Sequence, residues 1–127
     1  MNKIMRALAV ELRRTPSENA ADWLLQHYPS GGEAITLLEH VSLRQGDYRR
    51  LATHYLAGPT HAHGRAYRLF AQRLGLAGLV RILGETQGRD GRDADLLAYH
   101  LRPMLEDAKD AEELREAAAF VDRLASL

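Results

Sequence analysis

Glycine and proline cut this chain into short lengths, and the apolar residues between the cuts recur at helical spacing. Breaks such as Pro29-Ser30-Gly31-Gly32, Gly58-Pro59 and the stretch from Gly84 to Gly91 leave room for short elements only. No run alternates polar and apolar residues over the length of a strand. Valine and isoleucine together number only seven, whereas leucine and alanine, both strong helix formers, dominate. The expectation is an all-α fold.

The helices can be placed in order. Residues 3–14 form the first, with Ile4, Met5, Leu8 and Leu12 on one face. Thr15 and Glu18 read as a capping box, with Pro16 at the first position of a second helix that runs to about Tyr28. Its inner face is Ala21, Leu24, Leu25 and Tyr28; Trp23 lies off that stripe and is assigned to a second packing surface. Pro29 to Gly32 is a helix–helix turn. It follows no strand and precedes no Lys-Ser/Thr, so it matches neither a phosphate loop nor a dinucleotide fingerprint. A third helix covers about 33–44, closed by Gly46, and Asp47 N-caps a fourth over 48–57. The fifth (65–74) and sixth (76–84) are divided at Gly75, and the apolar sixth is expected to be central. Residues 84–92 are expected to be exposed and mobile. Asp93 caps a seventh helix, about 94–108, that kinks or restarts at Pro103. Asp110 and Glu113 form a capping box for the last, about 111–125.

Seven or eight short helices fit a compact bundle or stacked αα-hairpins. His27-Tyr28 before Gly31 recurs as His54-Tyr55 before Gly58, a spacing compatible with a HEAT-like array, although the flanking residues do not repeat. At 127 residues the chain is expected to form one domain, residues 1–127.

Charge is the second strong feature. The chain is neutral, yet Arg44 to Arg81 carries seven arginines against one acid, Asp47. Residues 1–43 hold four basic and five acidic residues, and 82–127 hold six and eleven, so the segments carry −1, +6 and −5 in turn. Some of these arginines are expected to pair with acids of the last two helices. The rest, with interleaved tyrosines, mark a surface for an anionic partner.

Little in the chain points to chemistry. With no cysteine there is no disulfide, thiolate zinc site or cysteine nucleophile. His54, His61 and His63 are the best metal candidates, but they lie among arginines with no nearby acid except Asp47, so no metal site is expected. The serines lie in no nucleophile-elbow context. Glu106-Asp107 and Glu112-Glu113 read as solvated helix faces, and no cofactor motif appears. No secretory signal is visible and the longest apolar run contains Arg81, which predicts a cytoplasmic protein that does not enter membranes.

The reading that follows is a small non-enzymatic protein-binding module. An inhibitor or bacterial immunity-type protein that neutralises a cognate toxin would suit this size and polarity. The expected contact residues are Arg49, Arg50, Arg65, Arg68, Arg73, His61 and His63. They would meet an acidic face of a cognate protein; alternatively, the acidic C-terminal helices would meet a basic one. The alternative function is an RNA- or DNA-binding protein whose 44–81 segment grips phosphates.

Overall fold

Seven helices carry the chain in a computed structural model that describes residues 1–85 and 90–126. They are α1 (Lys3–Arg13), α2 (Ser17–His27), α3 (Gly31–Leu38), α4 (Gln45–Tyr55), α5 (Arg65–Glu85), α6 (Gly91–Leu101) and α7 (Ala111–Ala125), with a 3-10 segment, Arg102–Asp107, between the last two. No strand occurs among the described residues. None of their helices is long and apolar enough to cross a membrane.

The apolar stripes explain the packing. Leu24 of α2, Leu37 and Leu38 of α3, and Leu51 of α4 are wholly buried. So are Tyr67, Phe70, Leu79 and Leu83 of α5 and Leu97 and Leu101 of α6. Burying each such side chain contributes roughly 1.5–3 kcal/mol. Helix α5 is the hub and packs on α3, α4, α7 and the 3-10 segment. Helices α1 on α3, α2 on α4 and α3 on α5 also meet, so helices two places apart stack in the manner of αα-hairpins.

Gly75 divides α5 internally. Its φ of +79° and ψ of 161° lie in a region open almost only to glycine, and the helix restarts beyond it. The break expected there is therefore present, and the second half of α5 (Leu76, Leu79, Val80, Leu83) is buried as expected of a central element. At Pro103 the α-helical hydrogen bonding cannot continue, and α6 passes into the 3-10 turn.

Several boundaries and faces differ from expectation. Gly31 and Gly32 open α3 and are not a turn before it; the helix ends at Leu38, well short of residue 44. Helix α4 starts at Gln45, so Gly46 lies in its first turn and does not close the preceding helix. Thr15 does not cap α2, because its hydroxyl donates to the Glu11 carbonyl behind it (2.7 Å). In the 84–92 stretch Gly84 and Glu85 finish α5 and Gly91 and Arg92 begin α6; residues 86–89 lie outside the described residues. Asp90, not Asp93, caps α6 through the Asp93 amide (2.8 Å). Ile4 is 71% exposed and Ala9 takes its place on the inner face of α1. Leu114, which helical spacing groups with Ala117, Ala118, Val121 and Leu124 as the inner face of α7, is exposed, and Phe120 enters the core instead. Trp23 is half-buried and rests against the rings of His27 (4.8 Å) and Tyr28 (5.6 Å).

Candidate functional site

The seven residues expected to bind a partner do not form one free patch. Three of the arginines are spent inside the fold. Arg50 donates to Asp22 (2.5 Å), lies 3.4 Å from Asp47 and reaches the Glu18 carbonyl at 3.2 Å. Its hydrogen bond to Asp22 raises its pKa further above the ordinary arginine value. Arg65 pairs with Glu39. Arg73 is half-buried, with Cζ 5.8 Å over the Tyr48 ring. Its Nη2 donates to the Leu38 carbonyl at the end of α3 (3.2 Å), where a cation suits the helix dipole. Its buried Nε has no hydrogen-bond partner among the described residues.

The two histidines also part company. His61 is half-buried and acts through its backbone. Its amide donates to the Tyr67 hydroxyl (2.9 Å), and its carbonyl accepts from His100 Nε2 (2.9 Å). The Tyr67 ring stacks on His100 and touches His61, so this cluster holds the 56–64 loop onto α5 and α6. His63 is exposed. His54 donates to the Pro29 carbonyl (2.9 Å). Among the described residues no three His, Cys, Asp or Glu side chains gather into a metal-binding group.

Arg49 and Arg68 remain. Both are exposed, and neither side chain makes a hydrogen bond or ion pair with a described residue. They line a groove of about 860 Å³ to which α5 contributes residues on both sides of its break. Its apolar lining comes from the half-buried Ala71 and Leu74 and the edges of the buried Leu76, Ile82 and Met104, and Gly75 and Gly78 also line it. A Cβ on Gly78 would sit 3.0 Å from that of Leu74, tighter than such contacts normally run. Arg81, Glu85, Asp107 and Lys109 also line it. Arg81 is held by Glu116 (3.1 Å), the one arginine of the 44–81 segment that pairs with α7 among the described residues. The other ion pairs use Asp22, Glu39 and Asp47, so the expected pairing with the last two helices holds for Arg81 only.

Glu113 sets the shape of this groove, and its burial was missed. It is 6% exposed, not part of a solvated face. Oε2 accepts from the Ala77 amide in the first turn after Gly75 (3.2 Å), and Oε1 accepts from the Lys109 amide (3.0 Å). One carboxylate thus caps the restarted half of α5 and fixes the entry to α7. Asp110 does accept from the Glu113 amide as a capping residue should (2.8 Å). The visible clue was Gly75 in an otherwise unbroken helical pattern, which leaves orphan amides needing an acceptor.

Fold and groove together define the class: an all-α fold with a groove of mixed charge lined by its central helix. Comparison with protein-family models, with curated proteins and with solved structures finds no match to the chain.

Proposed function

We propose that this chain is a non-enzymatic protein-binding module that receives a segment of a cognate protein along the α5 groove. The observation that supports it is the charge pattern. Arg49 and Arg68, exposed and without an ion pair among the described residues, line the groove together with the exposed carboxylates of Glu85 and Asp107 and with apolar residues of α5. A nucleic acid carries a phosphate at every nucleotide and would meet the carboxylates of Glu85 and Asp107 in the same groove. A polypeptide can alternate its charges to match. An inhibitor or immunity-type role in the bacterial cytoplasm, in which a charged helical face covers a toxin or enzyme, fits a small domain that works by covering a surface.

Affinity capture with the tagged chain, at low and raised salt and with and without nuclease, tests this reading. The expected result is one stoichiometric protein that resists nuclease and is lost when Arg49 and Arg68 are both changed to Glu. Recovery of mixed material that nuclease abolishes, with a steep loss at raised salt, would instead establish phosphate binding through the 44–81 arginines.

A further inference from the structure

Two side chains from different helices meet over Gly64, the residue before α5. A Cβ built on Gly64 would lie 3.0 Å from Arg68 Nη1 and 3.1 Å from His100 Nδ1, so the two nitrogens are at most about 6 Å apart. Neither has a hydrogen-bond partner among the described residues. Arg68 is exposed and always charged. His100 is half-buried, and its Nε2 lies 2.9 Å from the His61 carbonyl. A carbonyl only accepts, so Nε2 carries the ring proton and Nδ1 of the neutral ring holds a lone pair. The Tyr67 ring stacks on His100 at 5.5 Å and the Tyr99 ring meets it at 5.7 Å, so the imidazole is held in place.

The groups that face this ring include no acid. Arg68 and Tyr67 come from α5, His61 from the 56–64 loop and Tyr99 from α6 itself. Helix α7 and the 3-10 segment also pack on α6, but among the described residues they give His100 no hydrogen bond, ion pair or ring contact. A proton added at Nδ1 therefore sets a second positive charge beside Arg68 with nothing to offset it. An anion with two oxygens offsets it, because charge-assisted N–H···O bonds of about 2.7–2.9 Å let one such group reach both nitrogens.

We infer that Arg68 and His100 form a site for one oxyanion, a carboxylate or a sulfate- or phosphate-like group, and that its binding takes up a proton from solvent at His100 Nδ1. Arg68 donates to one oxygen and the protonated Nδ1 to another, while Nε2 keeps its bond to His61. Because the bound state carries the extra proton, affinity is greatest at low pH and is lost as pH rises from about 6 to about 8. The site does not depend on the groove being a protein-binding surface, since a partner's side chain and a free anion share this chemistry.

The test titrates the full chain with sodium sulfate, whose charge is constant over this range, against sodium chloride at matched ionic strength. The His100 ring nitrogens are followed by NMR. Sulfate is expected to shift Nδ1 and to bind about tenfold tighter at about pH 6 than at about pH 8. Arg68→Gln, at an exposed and unpaired position, should weaken binding about tenfold, and an unchanged circular dichroism spectrum would show that it folds. A neutral ring protonated on Nδ1, an equal shift with chloride, equal affinity at both pH values, or Arg68→Gln titrating as the unaltered chain would each overturn the inference. Sulfate that binds and also releases a captured cognate protein, where chloride does not, would identify the occupant as an anionic group of that partner. Sulfate that binds without disturbing capture would make it a free anion. Sulfate binding with no protein captured would remove the protein-binding reading and keep this site.

Discussion

Individual side chains in this protein act at long range. Glu113 serves amides on two different elements, so Glu113→Ala leaves the Ala77 and Lys109 amides without their acceptor. The expected cost is about 2 kcal/mol or more, whereas Glu112→Ala, at an exposed neighbour, should change stability by less than about 0.5 kcal/mol. Urea denaturation of the two variants decides between this assignment and a merely solvated pair. Gly75→Ala should cost about 1–3 kcal/mol. The nearest neighbour of an added Cβ is Glu113 Oε2 at 3.8 Å, so the penalty comes from the backbone angle and not from a clash. Tyr55 gives a pH handle. Its hydroxyl donates to the Tyr28 carbonyl (2.7 Å), and burial pushes its pKa from the ordinary 10.0 up to about 12. A phenol whose pKa is higher in the folded state stabilises that state fully below pH 10.0 and loses the contribution as pH rises toward about 12. Chemical denaturation across that window should show stability falling, and Tyr55→Phe should flatten the fall.

At the scale of elements, what the sequence shows is helix existence, and what it hides is helix ends. Helical periodicity located every helix, the Gly75 break and the change at Pro103. The inner faces of α4 and of the second half of α5 were legible because burial follows the apolar stripe. The ends were not, because the residues that look like local caps are used elsewhere. Asp47 was expected to cap α4, but it accepts from Ser17 (2.6 Å), whose oxygen in turn accepts from the Arg44 amide (2.8 Å). Asp93 was expected to cap α6, but its carboxylate holds the Thr60 amide (2.6 Å) and hydroxyl (2.8 Å). The site was legible to the same degree. A count of arginines marks the basic segment, yet whether each one is free depends on Asp22, Glu39 and the end of α3, which no local spacing encodes. Thr60→Ala should lower stability by about 1 kcal/mol, seen as a shifted denaturation midpoint, although the residue sits in a loop.

For the molecule as a whole, α5 joins α3, α4 and α7 into one set of contacts. Heat should therefore unfold the chain in one cooperative step. Leu79→Ala, at a wholly buried position, should lower its stability by about 3 kcal/mol without splitting the transition. Two separate transitions by circular dichroism would divide the chain into independent parts.

The side-chain links from Ser17 to Asp47, Thr60 to Asp93 and Ala77 to Glu113 span 30, 33 and 36 residues, and in each the carboxylate comes later in the chain. During synthesis each segment thus waits for an acceptor that has yet to leave the ribosome. Each newer helix supplies the carboxylate that fastens a segment made some thirty residues before it. Of the three, the fastening at Glu113 comes latest, so a nascent chain that stalls short of α7 carries a central helix whose second half lacks this acceptor.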